Sequence, residues 1–117
     1  MHQGKLYHYR AVVTRVYDGD TIWVQIDLGF YVEIKREKIR LARIDAPEIR
    51  GPERSAGLAA RDFLRDLILN QPVLLQTLKD RKGKYGRYLG EVWLEQDGRY
   101  INVNDLMVAK GYATPWP

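Results

Sequence analysis

Two aspartates flank a glycine in Tyr17-Asp18-Gly19-Asp20-Thr21, and two carboxylates flank a proline in Asp45-Ala46-Pro47-Glu48. Carboxylate oxygens suit hard cations such as Ca²⁺ or Mg²⁺. A further carboxylate beside such a cation can take a proton from water. Arginine is close by in both directions: Arg40 and Arg43 precede Asp45, and Arg87 ends the turn Lys84-Tyr85-Gly86-Arg87. A guanidinium fork matches phosphate oxygens two at a time. Cation ligands, a base and guanidinium groups are together what hydrolysis of a phosphodiester requires, because negative charge builds around phosphorus in the transition state. Each segment also has a plainer reading. Asp-Gly-Asp is what a tight turn needs. The Arg40–Glu48 segment could be a solvated strand end with surface ion pairs, and Lys84–Arg87 a basic turn. An EF-hand is excluded for Asp18–Asp20, because position 29, where that loop would place its glutamate, is Gly.

The rest of the composition narrows the field. The chain has 117 residues, which suits a single domain, 1–117. It has 45% hydrophobic and 29% charged residues, an ordinary globular balance. It lacks cysteine, so disulfide scaffolds, thiolate metal sites and cysteine nucleophiles are ruled out. The net charge of +4 attracts polyanions weakly. No apolar run approaches the roughly 20 residues of a membrane span, so no membrane partner is expected. Met1–Lys5 is not the start of a signal peptide, and the expectation is a cytoplasmic protein unless a leader was removed. His2 and His8 lie away from the motifs and read as surface residues.

The elements that must position these residues follow from periodicity. Tyr7 to Tyr17 reads as a strand, turned by Asp18-Gly19-Asp20. Thr21 to Asp27 alternates, with Ile22, Val24 and Ile26 on one face and Trp23 and Gln25 on the other. Tyr31 to Ile44 is expected to return as one long strand carrying a bend or bulge. Gly51-Pro52 opens a helix whose apolar stripe is Ala56, Ala60, Phe63, Leu64, Leu67 and Ile68, closed by Asn70 and Pro72. Val73 to Leu78 reads as a short strand, Lys79 to Lys84 as a polar loop, and Tyr88 to Glu95 as a strand turned by Asp97-Gly98. A helix near Val103 to Lys110 follows, capped by Asn102 or Asn104 and ended by Gly111. Strands and helices in this order predict an α+β fold, a five-stranded OB-fold barrel with a long helix between strands 3 and 4 and a short C-terminal helix.

Three segments in register, Tyr17 through Thr21, Arg40 through Glu48, and Tyr85-Gly86-Arg87, resemble the staphylococcal nuclease (thermonuclease-like) family. Gly51-Pro52-Glu53 and Val103-Asn104-Asp105-Leu106 through Gly111 are similar to it as well, and the resemblance runs from roughly Val12 to Ala113. It implies a calcium-dependent nuclease that hydrolyses DNA and RNA without regard to sugar. On that resemblance Asp20 and Asp45 ligate Ca²⁺, with the Ala46 carbonyl as a further ligand. Glu48 orients or deprotonates the attacking water, and Arg40 and Arg87 grip the scissile phosphate. Lys84 and Tyr85 contact a neighbouring phosphate, and Asp18 fixes the turn. Tyr112 and Trp116 stand where the family's base-stacking tyrosines have no direct counterpart.

Single strands are the expected substrate, because an OB-type groove stacks unpaired bases. A monomer is expected. The competing reading is a catalytically silent OB-fold module that binds nucleic acid or protein. The set Asp20, Arg40, Asp45, Glu48 and Arg87 favours the enzyme, since clustered carboxylates would repel phosphate in a simple binder. All these residues lie at strand ends and turns, so substitution there is expected to leave the fold intact.

Overall fold

Asp18-Gly19-Asp20 turns the chain between two strands, as its composition demands, and the strand that follows buries Ile22, Val24 and Ile26. A computed structural model describes residues 8–82 and 88–116, the side chains of 79–82 excepted. The elements are β1 (His8–Asp18), β2 (Thr21–Asp27), β3 (Glu33–Leu41), β4 (Ile44–Asp45), a 3₁₀ turn (Gly51–Glu53), α1 (Arg54–Ile68), β5 (Pro72–Lys82), β6 (Tyr88–Gln96), β7 (Arg99–Asn102), α2 (Val103–Ala109) and β8 (Thr114–Pro115). The main sheet runs β3-β2-β1-β5-β6-β7. A parallel pairing of β3 with β6, Ile39 opposite Tyr88 through Leu41 opposite Gly90, joins its two sides. Strands β1, β2, β3, β6 and β5 thereby close into the expected five-stranded barrel, leaving no free edge among them. Ile22, Ile39, Leu75 and Val92 fill it, and Leu64, Ile68 and Met107 plug it from the helices.

Four expectations change. The long strand from Tyr31 to Ile44 begins only at Glu33, because Leu28 to Val32 form a closed turn: Leu28 N–H donates to Val32 O and Val32 N–H to Gly29 O. Phe30 and Tyr31 adopt positive φ of 54° and 61° there. The strand also stops at Leu41, where Arg43, at φ 68°, reverses the chain before β4. The short strand at Val73–Leu78 runs on to Lys82, so most of the expected loop is strand. A strand the sequence pattern did not suggest, β7, pairs with β6 across Asp97-Gly98, both at positive φ as a tight hairpin requires.

Helix α1 buries Gly57, Ala60, Leu64 and Ile68, with Phe63 and Leu67 at its margin, and leaves Ala56 exposed. The stripe is therefore rotated by one residue at the first turn. Asn102 caps α2, its Oδ1 accepting the Asp105 N–H at 2.9 Å. Asn104 is fully buried and does a different job: it accepts the Val92 N–H and donates to the carbonyls of Ala42 and Gly90. It thus ties α2 to the β3–β4 turn and to β6. No described helix is long and apolar enough to cross a membrane.

Candidate active site

The turn before β2 and the end of β3 are adjacent strand neighbours, with Thr21 paired to Arg40. That register brings the first two motifs together. Asp18 Oδ1 accepts the Asp20 N–H at 3.0 Å and shapes the turn. Burial pushes the Asp18 carboxyl up to about 6, and the neighbouring Asp20 carboxylate adds to the rise. Asp20 is itself buried. Its Oδ2 accepts the Ala46 N–H at 2.8 Å, and its Oδ1 accepts from the Thr21 hydroxyl at 3.1 Å. Its backbone carbonyl accepts the Leu41 N–H.

Arg40 curls over the turn that follows β3. Its Nη1 donates to the carbonyls of Leu41 and Ile44, each at 2.8 Å. Its Nη2 lies 3.4 Å from Asp20 Oδ2 and 3.4 Å from Asp45 Oδ1. The Arg40 and Asp20 side chains are only 11% and 8% exposed, whereas Asp45 is 58% exposed. One nitrogen of a largely buried guanidinium therefore faces two carboxylates, one buried and one open to solvent. The Trp116 ring lies 5.5 Å from Arg40 Cζ, and its backbone N–H donates to Arg43 O at 2.8 Å. Arg43, the other arginine of the motif, turns away from this group. It forms a fork with Glu91 at 2.6 and 2.8 Å and reaches Asp105 at 2.8 Å, and these bonds raise its pKa further.

The approach of the three segments depends on small residues. A Cβ on Gly19 would sit 2.7 Å from Ala46 Cβ and 2.8 Å from Ala60 Cβ. A Cβ on Gly57 would sit 2.1 Å from the Glu48 carbonyl oxygen. Helix α1 thus lies directly against the backbone that carries Glu48. Gly57→Ala should push that backbone away and destabilise the fold by about 1–3 kcal/mol, the usual cost of overpacking. Thermal unfolding of the variant checks this, and an unchanged midpoint would count against so close a contact.

Glu48 is exposed, and among the described residues its carboxylate forms no hydrogen bond or ion pair; its backbone N–H points to Glu53 Oε1 at 3.4 Å. A cleft of about 140 Å³ opens beside Asp45, lined by Ala46, Pro47, Tyr112 and Thr114. Tyr112 stacks on Phe63 with ring centroids 4.5 Å apart, so part of its ring belongs to the packing of α1. Lys84, Tyr85 and Arg87 lie outside the described residues. A larger concavity of about 690 Å³ lies at the other end of β2, beside Phe30 and Tyr31, away from the carboxylate group.

A family model described as staphylococcal nuclease homologue matches residues 38–116, which hold Arg40, Asp45, Glu48 and the whole of α1. The chain belongs to the staphylococcal nuclease family. Relatives agree with that placement. The thermonuclease of Staphylococcus intermedius is 40% identical over 86 residues, 71% of this chain and 48% of the relative. The micrococcal nuclease of Shigella flexneri is 36% identical over 110 residues, 90% of this chain and 57% of the relative. Endonuclease YhcR of Bacillus subtilis is 32% identical over 121 residues, 93% of this chain and 9% of the relative. The chain spans about half the length of the first two nucleases.

The fit of this member's residues to a divalent cation rests on donor type. Asp20 and Asp45 offer carboxylate oxygen, the hard donor that Ca²⁺ or Mg²⁺ takes. The Ala46 amide holds Asp20 in place, and Thr114 Oγ1 donates to the Asp45 carbonyl at 3.3 Å. Among the described residues no third His, Asp or Glu completes a cluster.

The sequence pattern named Thr21 only as a segment end and Asn104 only as a candidate cap; their roles, the Thr21 hydroxyl on Asp20 and Asn104 fixing the turn beneath Arg40, come from the structure. A polar residue inside an otherwise apolar strand or helix turn was the available signal for both.

Proposed function

We propose that this chain is a metal-dependent nuclease that hydrolyses phosphodiester bonds in DNA and RNA, with Ca²⁺ as its cation and single strands as its favoured substrate. The observation that carries it is the convergence of buried Asp20 and exposed Asp45 on one guanidinium nitrogen of the largely buried Arg40, each at 3.4 Å. The nuclease names of the relatives support the same reading.

Asp20 and Asp45 would hold the cation, with the Ala46 carbonyl as a further oxygen. When bound, the cation supplies Lewis-acid stabilisation of the charge that develops on phosphate oxygen. Arg40 keeps its Nη1 on two backbone carbonyls, which fixes the plane of the guanidinium. Its Nη2 is then the nitrogen that reaches a phosphate oxygen. A donor held in place before the reaction stabilises the transition state without reorganising. Glu48, unpaired and open to solvent, accepts a proton from water as the water oxygen bonds to phosphorus and the ester oxygen leaves. The resemblance assigns Arg87 to the same phosphate, and Lys84 and Tyr85 to its neighbour. Tyr112 borders the cleft beside Asp45, where a sugar or base would rest. Contacts of this kind go to phosphate and carry no base sequence, so the enzyme cuts with little sequence preference.

Incubation with single-stranded DNA and Ca²⁺, with and without chelator, tests this. Cleavage should be abolished by the chelator and be slower on intact duplex. Ca²⁺ at about a hundredfold excess over its Kd should also stabilise the fold by about 2.7 kcal/mol, read as a rise in Tm. Absence of chelator-sensitive cleavage would overturn the reading in favour of a silent binding module.

A further inference from the structure

The outer face of the β2–β3 hairpin carries a feature the hydrolytic site does not use. Ile22 and Ile39 pair across these strands and point into the barrel. Their neighbours, Thr21 with Arg40 and Trp23 with Lys38, pair on the opposite face. Arg36 joins them: its Cζ lies 4.5 Å from the centre of the Trp23 ring, and Lys38 Nζ lies 5.0 Å from the same centre. Among the described residues neither cation is paired with a carboxylate, although the chain holds 15 acidic residues. Two unneutralised cations are thus gathered on one indole, in line along β3 with Arg40.

Alternate residues on a strand recur about 6.7 Å apart, so Lys38 stands one such step from Arg40, and Arg36 follows at the register shift between β2 and β3, where its guanidinium still reaches the same indole. An extended sugar–phosphate backbone can follow such a row, one phosphate to a step. Cation–π contact with Trp23 draws the two flexible side chains toward the indole before any ligand arrives, which lowers the ordering cost of binding.

We infer that Trp23, Arg36 and Lys38 form a phosphate-binding track that holds a single-stranded polynucleotide on the outer face of β2 and β3, next to the hydrolytic site. The inference rests on nucleic acid as the substrate of that site. It adds grip on a stretch of strand that is not being cut. Long strands benefit from it, and a dinucleotide, which fills the hydrolytic site alone, does not.

The test measures binding of a single-stranded DNA of about twelve nucleotides, a length within the usual reach of an OB-type groove, by fluorescence anisotropy in the presence of chelator. Cleavage of a dinucleotide with Ca²⁺ is measured separately. The double variant Arg36→Gln with Lys38→Gln keeps the side-chain stems and removes both charges. It should bind the strand about tenfold more weakly, and its log–log salt slope should fall by about 1.4, the loss of two single-strand phosphate contacts. Its dinucleotide cleavage should equal that of the parent. The charge-keeping pair Arg36→Lys with Lys38→Arg should recover most of the affinity, which separates charge from folding, and circular dichroism should match for all three proteins. Parent-like affinity and salt slope in the Gln variant would overturn the track, and so would equal losses in both double variants. A parent that binds the strand through this face yet cuts nothing would overturn the nuclease reading and leave the track standing. A parent that cuts a dinucleotide but whose strand binding ignores Arg36 and Lys38 would do the reverse.

Discussion

Arg40→Met should lower the unfolding free energy by about 3–5 kcal/mol, the cost of leaving a buried partner charge alone, and cut single-strand cleavage by about 10²-fold or more. Both losses come from one guanidinium. Asp20 is buried and faces Arg40 Nη2, so removing the cation strands a carboxylate in low dielectric. The carbonyls of Leu41 and Ile44 lose their side-chain donor in the same step. This changes the expectation, drawn from its position at a strand end, that Arg40 could be replaced with the fold intact. Arg40→Lys should recover part of the stability and little of the rate, because one ammonium cannot hold two carbonyls and present a second nitrogen to phosphate. Glu48→Gln is the contrasting case. Its carboxylate is exposed and, among the described residues, unpaired, so stability should stay within about 0.5 kcal/mol of the parent, while the rate falls by about 10²–10⁴-fold. Urea unfolding and single-strand cleavage, measured on the same preparations, check both. Equal stability in Arg40→Met and Glu48→Gln would refute the buried-pair argument.

Asn104→Leu should cost about 4 kcal/mol, since a similar volume of hydrocarbon replaces three buried hydrogen bonds and leaves backbone groups without partners. Gly90 O keeps a bond from the Ala42 N–H, so the orphaned side-chain partners are Ala42 O and Val92 N–H. Asn104→Asp should fare no better, because a carboxylate cannot donate to Ala42 O or Gly90 O. Asn102→Asp should keep the helix cap but lose the bond from Asn102 Nδ2 to Glu91 Oε1 and set two carboxylates together, so it should cost about 1–2 kcal/mol, less than the Asn104 changes. Thermal melts of the three variants separate the roles. A harmless Asn104→Leu would show that α2 is not held to the β3–β4 turn by this side chain.

That pair of asparagines shows where pattern reading stops. Both stand at the start of α2 and both have cap chemistry, so their types alone leave the choice open. What separates them is the barrel, which brings the backbone of Ala42, Gly90 and Val92 around Asn104 and leaves Asn102 half-buried, capping the helix and donating to Glu91. The same limit explains α1. Ala56 and Gly57 fit the periodicity about equally, and only the proximity of the Glu48 backbone demands the residue without a side chain. Strand order, the barrel and the turn at Asp18–Asp20 were legible because alternation and turn composition act locally. Strand β7 was not, since Arg99-Tyr100-Ile101-Asn102 is too short to alternate convincingly and gains its partner from the Asp97-Gly98 hairpin. The gathering of Asp20, Arg40 and Asp45 was legible only through resemblance. Their distances depend on the β2–β3 register, and no residue type states that register. Arg36 and Lys38 fall within the expected strand from Tyr31 to Ile44, and their relation to Trp23 becomes visible only in three dimensions.

The parallel seam between β3 and β6 joins residues about fifty positions apart, with Arg40 opposite Leu89. Hairpins such as β1–β2 and β2–β3 close small loops and form early, whereas a seam of such long sequence separation has to await a much larger loop closure. Asn104, which seals the seam from α2, lies later still in the chain. The β1–β5 and β4–β8 pairings reach further still, His8 to Gln76 and Ile44 to Pro115, so the turn that Arg40 braces is bordered by several long-range closures. The contacts of Arg40 with Asp20, Asp45 and the carbonyls of Leu41 and Ile44 are local to β2–β4, so the hairpin can draw the group together and the long-range closures then lock it in place.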